Sequence, residues 1–335
     1  MRYGLTVCPS NVLGAGSSIH RPTKSKSNAE LIASLRANFE AHYTVAPNAH
    51  TTNGDAKPTR PSYTTWTHRK DDVLEVPALD FTQSALQEER EQYDITLKLF
   101  YLPHASTTTR DVQTREALDL VLKELHMPSI DLLIVCFPGI YFDEEEDCPD
   151  KLSTRGPVEA EPERLDSQIE TWRTLEALYD EGLVKKLGVA EFGHERLEAF
   201  LGGVRVKPSV DQINLRDCCS VPKDLLSLAK REKVELLVHN DCSNVLPRGT
   251  VRELLGSGEQ GAGVLAEATK EAGGTKVGEK RKSLHGEEVK NGVVGAADAL
   301  KGEVQPQWVV KYTAVVKNRG VVENKGYFAV AELTE

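Results

Sequence analysis

The chain of 335 residues carries a formal net charge of −10, with 39% hydrophobic and 27% charged residues. That balance lies well away from the disordered extreme, and it argues against a nucleic-acid surface, which needs cations to neutralise phosphates. No apolar run approaches the ~18 residues of a membrane-crossing helix, so no membrane partner is expected.

Residues 1–62 are rich in Ser, Thr, Asn, Pro and His and are expected to be mostly disordered. One helix is predicted in SNAELIASLRANFEAH, where Leu31, Ile32, Leu35 and Phe39 fall near i, i+4, i+8 spacing behind an Asn28 or Ser27 cap. The N-terminus lacks the apolar core of a secretory signal, which implies a cytoplasmic location. No Asp or Glu precedes Glu30, whereas Arg2, Arg21, Lys24 and Lys26 do. That composition faintly resembles an organellar transit peptide, the alternative being a loose tail.

A second region, 63–335, reads differently. YDITLKLFYLP alternates as a strand, REALDLVLKELHM follows as a helix, and IDLLIVCFPG is an apolar run of the length of a strand buried on both faces. DEEEDCPD, residues 143–150, is a solvated acidic loop. Next come a long helix in ERLDSQIETWRTLEALYDEGLV, a strand in KKLGVAEF, a helix in HERLEAFLG and a strand in SVDQINL. PKDLLSLAKREK is a helix with Pro222 suited to its first turn, and VELLVHND is a strand. Strands alternating with helices across short loops mean βαβ units on a parallel sheet. Residues 256–302, rich in Gly, Glu and Lys, are expected to be a flexible insertion. QPQWVVKYTAVVKNRGVVENKGYFAVAEL is then expected to form a helix, a break at Gly320 and a final strand-like segment.

Neither a GxGxxG nor a GxxxxGK[ST] follows a predicted strand, the one GxGxxG match being GSGEQG at 256–261 at the start of the Gly-rich stretch, so a nucleotide loop of either common kind is not expected. Cys136, Cys218, Cys219 and Cys242 fall at or just past predicted C-terminal strand ends, the functional face of a parallel barrel. The HxxC pair His239–Cys242 lacks the spacing of a zinc framework, and buried thiols are the simpler reading, with no metal expected. Cys218 and Cys219 would point to opposite sides of an extended chain; redox sensing or contact with a partner is the functional alternative for them and for Cys242. Lys98, inside ITLKLF, is either a snorkelling edge residue or a functional cation. Gln212 and Asn214 share one face of VDQINL, where they either bind a ligand or line a polar barrel mouth.

The phrases ITLKLF, IVCFPG, LGVAEF and VDQINL, in that order, resemble the aldo-keto reductases. The resemblance implies an α/β fold, a parallel (β/α)8 TIM-type barrel with a disordered N-terminal tail and a flexible insertion. It also implies a hydride-transfer site in which a tyrosine acid is tuned by lysine, aspartate and histidine. Lys98 fits that lysine, but Cys136 stands where the histidine would be. Ala190-Glu191 replaces the Ser-Asn pair that holds the nicotinamide amide, while Gln212 matches the amide-binding glutamine. Lys325, in VVENKGY, falls near a phosphate-contacting lysine, so weak, vestigial NADPH binding through Gln212 and Lys325 is implied and no other cofactor. No Asp-x4-Tyr pair precedes Lys98 at a suitable distance, and without that acid carbonyl reduction loses about 10²–10⁴-fold.

A fuller resemblance covers about 71–255 and 303–330. DDVLEV, EEREQYDITLKLF, VKPSVDQINLRDCCSVPKDLLSLAKR, ELLVHND and VVKNRGVVENKGY resemble the regulatory (modifier) subunits of glutamate–cysteine ligase. This resemblance implies a barrel without reductase activity that forms a heterodimer with the ligase catalytic subunit, improves glutamate use and eases inhibition by glutathione. The CC phrase then belongs to scaffold or contact surface, with no catalytic residue; a divergent NADPH-dependent reductase is the alternative.

Overall fold

A computed structural model describes residues 2–7, 12, 28–44, 61–82, 85–103, 106–142, 160–215, 220–241, 244–258, 260–266 and 298–334. Its strands are β1 (Arg2–Val7), β2 (His68–Lys70), β3 (Val73–Val76), β4 (Tyr93–Tyr101), β5 (Ile130–Cys136), β6 (Val184–Ala190), β7 (Val210–Ile213), β8 (Glu235–Val238), β9 (Glu303–Val316) and β10 (Val321–Thr334). Its helices are α1 (Ala29–Thr44), α2 (Arg110–Leu125), α3 (Leu165–Asp180), α4 (His194–Gly203), α5 (Lys223–Glu232) and α6 (Arg248–Leu255). All ten strands join one sheet in the order β2-β3-β1-β10-β9-β4-β5-β6-β7-β8.

Strands β4 to β8 run parallel to one another, each linked to the next through a segment that holds a helix from α2 to α5. This is the α/β cadence expected from the sequence. The other half of the sheet departs from an all-parallel plan. β9 pairs antiparallel with β4 and with β10, and β10 pairs antiparallel with β1, so that Arg2 lies beside Thr334 and Val7 beside Ala329.

Several stretches differ from expectation for identifiable reasons. Residues 305–316 form a strand and not a helix. Val304, Pro306, Trp308, Val310, Tyr312, Ala314 and Val316 repeat every second residue and are buried, which is the period of a strand. Pairing on both edges, with β4 and β10, gives this strand the ladder that a helix would have forfeited. Gly320 does form the break: at φ +62° it closes the turn into β10 in a conformation that glycine tolerates best. In the polar N-terminal region, Leu5 and Val7 are buried in β1 between β10 and β3. The predicted helix in this region is α1, which buries Leu31, Leu35 and Phe39, with the Phe39 ring 5.9 Å from that of Trp66. At the start of the 256–302 stretch, Ala262, Val264 and Leu265 are packed in the core, and Leu265 bridges to Leu300. The acidic loop 143–150 and the middle of the insertion, 267–297, lie outside the described residues.

Apolar residues divide between two faces of the sheet. The helices α2 to α5 cover one face, around Trp172, Phe192 and Phe200, whose rings meet edge to face. The opposite face packs Phe100, Ile134, Cys136, Ala190 and Val210 together with residues of α1, α6, β1 and β10. The sheet is strongly curled. Asp241, just past β8, touches Lys311 of β9 at 3.0 Å, although the two strands stand five places apart in the sheet. In a flat sheet with ordinary spacing they would be separated by about 24 Å. The arc from β9 to β8 is therefore almost a ring, and side chains bridge its mouth.

Candidate functional site

Parallel strands deliver their C-terminal ends to one rim, and the charged residues gather there. β4 supplies Lys98, the end of β5 Cys136, the end of β6 Glu191, β7 Gln212, and the segment after β8 both His239 and Asp241. β9 adds Lys311, directly opposite Lys98 in the antiparallel ladder. Because β4 lies between β9 and β5 and Lys98 is buried, Lys98 is not an edge residue whose head reaches water.

Two ammonium groups facing each other across a ladder repel, and Asp241 resolves that conflict. One carboxylate oxygen accepts from Lys98 at 3.3 Å and the other from Lys311 at 3.0 Å. Burial works to raise the Asp241 carboxyl, yet Lys98 and Lys311, the Lys311 hydrogen bond and His239 together hold it well below the usual carboxylate range. His239 is oriented by partners on both ring nitrogens. Its Nδ1 accepts from the Asp241 backbone N–H at 3.1 Å and lies 3.1 Å from Lys98 Nζ. Nδ1 thus carries no proton, and Nε2–H donates to the Gln212 carbonyl at 3.1 Å, with Glu191 Oε1 2.7 Å away.

Glu191 ties the rim to the loop after β5, because its second oxygen accepts from the Phe142 backbone N–H at 3.0 Å. Its backbone is left-handed, φ +67°, a conformation uncommon for a residue with a Cβ and often found at sites under constraint. Burial pushes the Cys136 thiol up to about 12 despite Lys98 close by, which leaves it unreactive as a nucleophile. Asp211 shares the helix-covered side of β7 with Ile213, and its Oδ1 accepts from Phe192 N–H at 3.4 Å. Complete burial raises its carboxyl well above the usual range, with Glu191 adding to the rise.

The structure brings Lys98, Cys136 and Gln212 to this rim. It does not bring Lys325 there: that residue lies on β10, ion-paired with Glu30 of α1, and four strands separate β10 from β7. Cys218, Cys219 and Cys242 lie outside the described residues. Asp241, Lys311 and the bridging role of Glu191 were not singled out from the sequence. The available signals were the HND phrase at a strand end and a lone lysine inside the apolar run WVVKYTAVV, the same pattern that marks Lys98.

The dinucleotide implied by the reductase resemblance can be tested against these residues. Gln212 Oε1 is a buried acceptor with no partner and suits a carboxamide donor. Glu191, where the Ser-Asn pair would offer donors, presents a carboxylate that can only accept, with one oxygen taken by the Phe142 N–H and the other 2.7 Å from His239 Nε2. With Lys325 elsewhere, the set does not fit a nicotinamide dinucleotide. Nor does Lys98 have a phenol partner among the described residues: it touches His239, Asp241 and the Phe100 ring, 5.3 Å to its centroid. The hydroxyls of Tyr101 and Tyr312 are hydrogen-bonded to Thr114 and Glu124 of α2.

The chain is 26% identical to the glutamate–cysteine ligase regulatory subunit of Homo sapiens over 261 residues, 78% of this chain and 74% of that one. It is equally 26% identical, over the same shares, to the regulatory subunit of Rattus norvegicus. An aldo-keto reductase of the silkworm, Bombyx mori, solved as its NADPH complex, is 24% identical, with 45% of this chain and 40% of that one matched at a TM-score of 0.33. No helix among the described residues is long and apolar enough to cross a membrane. A profile of the aldo/keto reductase family matches residues 74–247, which is more than half of the sequence and spans β4 to β8 with all five parallel strand ends of the rim; the chain belongs to that family.

Proposed function

We propose that this protein is a non-catalytic regulatory subunit that binds the catalytic subunit of a glutamate–cysteine ligase in a cytoplasmic heterodimer and raises its efficiency in glutathione biosynthesis. The observation that carries the reading is the state of Lys98. In the reductase scheme this lysine tunes a tyrosine acid; here its ammonium is held by Asp241 and His239, and the neighbouring thiol of Cys136 is held neutral. A charge cluster that satisfies itself suits a scaffold better than a turnover site. The likeness to named regulatory subunits over more than three quarters of the chain supports the same reading.

A bound subunit favours the active ligase conformation only to the extent that it binds that conformation more tightly. A tenfold gain requires about 1.4 kcal/mol of such preference. The test is steady-state, ATP-dependent joining of glutamate to cysteine by the catalytic subunit, with and without this protein, under a glutathione titration. A lower glutamate requirement or weaker inhibition by glutathione is expected. No kinetic change together with no co-elution would overturn the proposal. One observation favours the alternative, a divergent NADPH-dependent reductase: the unpartnered Gln212 Oε1 on the rim. NADPH titration and a carbonyl screen with wild type and Lys98→Met separate the two, since loss of turnover in the variant belongs to the reductase reading alone.

A further inference from the structure

Both layers of the arc stop at the same end. Among the outer helices, α5 packs on α4 and on β8, while the next helix, α6, packs on β9 and α1 instead. β8 is the last strand of the sheet. The Glu235 and His239 N–H groups donate into β7, to Ser209 O at 2.8 Å and Ile213 O at 3.1 Å. Strand alternation therefore turns the N–H and C=O groups of Leu236 and Val238 outward.

The two edges of the sheet are built differently. β2, the opposite edge, exposes His68, Arg69 and Lys70, the charged guard that discourages strand addition. β8 reads Glu-Leu-Leu-Val, with Val238 61% exposed, and Leu226 of α5 is 48% exposed. Lys223 and Lys230 lie two helical turns apart on α5, with Leu226 between them, and Lys233 follows at the end of the helix. These three ammonium groups have no ion-pair partner among the described residues. By contrast, Arg231 is held by Glu198 and Glu232, and Glu232 also takes Lys207. The exposed carboxylates left outside ion pairs here, Asp224 and Glu235, are fewer than the lysines, so this end is cationic on a chain whose net charge is −10.

We propose that the edge of β8 and the outer face of α5 form a docking surface for an extended segment of the ligase catalytic subunit, one that adds a strand to β8 and sets carboxylates against Lys223, Lys230 and Lys233. The proposal rests on the regulatory-subunit reading. A second copy of this chain is the wrong occupant, because a two-fold contact would set lysines against lysines.

The test uses the full-length protein and the catalytic subunit. Lys223→Glu with Lys230→Glu should weaken binding at least tenfold at low salt, with the deficit shrinking as salt is added. Val112→Glu, on exposed α2, should bind as wild type does and serves as the folding and charge control. Hydrogen exchange should show the Leu236 and Val238 amides gaining protection in the complex. Both readouts are required. Undiminished affinity of the double variant, or unprotected amides in a complex that still regulates, overturns this surface while leaving the functional reading intact. Dimerisation of the protein alone through these residues overturns it as well. If wild type neither binds the catalytic subunit nor alters its kinetics, the functional reading fails and the docking surface fails with it.

Discussion

Replacing Asp241 with asparagine should be among the more damaging isosteric changes in this molecule. The carboxylate sits 3.3 Å from Lys98 and 3.0 Å from Lys311, with side-chain exposures of 17%, 5% and 25% respectively. At an effective dielectric of ~20 each contact contributes about 5 kcal/mol of Coulomb attraction, much of it offset by desolvating three ions. Asparagine leaves two cations directly opposed in the β4–β9 ladder without their counter-ion. Breaking a buried pair from one side costs about 3–5 kcal/mol. Because Lys311 can turn partly into water, we expect the lower end, about 3 kcal/mol, from urea unfolding at pH 7. The sign with pH follows from the depressed carboxyl. Its stabilisation is complete above the ordinary carboxylate value of about 4 and is lost as pH falls towards the much lower value of the folded state, so the gap between wild type and variant narrows only in acid. Adding Lys311→Met to Asp241→Asn removes the opposed charge and should restore much of the loss. A cost below about 1 kcal/mol, or no rescue by the second change, would refute the view that this carboxylate holds the mouth of the arc together.

Other expectations follow from single groups. Cys136, its thiol at about 12 through burial, should resist iodoacetamide up to pH 9 in the native protein and react only on unfolding, as read by mass spectrometry. Asp211 carries the opposite sign to Asp241: its raised carboxyl lowers stability as pH climbs above the ordinary carboxylate value. Asp211→Asn should therefore be at least as stable as wild type at pH 7–8 and should flatten the pH profile of the urea midpoint. Arg110, 2% exposed, grips Glu163 with both terminal nitrogens and lies 4.6 Å over the Tyr101 ring. Glu163→Gln should cost about 3 kcal/mol by the same measure, since it strands a buried guanidinium.

How much of this was legible in the sequence depended on the range of the signal. From Tyr93 to Val238 the apolar periodicity is local, and each element from β4 to β8 falls where that periodicity put it. β9 was misread because WVV, at its centre, is apolar in succession, and alternation is clear only when Val304 to Val316 are taken together. β1 was hidden because six residues of modest apolarity say little until two neighbouring strands flank them. In the candidate site, Lys98, Cys136 and Gln212 could be placed one strand at a time. Asp241 and Lys311 could not, because their meeting is produced by the curl of the sheet and by no local pattern. His239 was visible only as half of an HxxC pair, whereas its structural partners are Lys98, Glu191 and Asp241.

The pairing of β1 with β10 has a consequence for how the molecule assembles. Residues 2–7 find one of their two neighbours at 329–334, and β4 finds one of its own at 308–316. Neither ladder can form while the chain is still growing through its middle. The helix-linked strands β4 to β8 need only local closures, but the central ladders wait for the last strands to be made, and contacts of such separation slow folding. During that interval one edge of β1 and one edge of β4 stand unpaired, the form in which a growing chain is exposed to aggregation and in need of a chaperone.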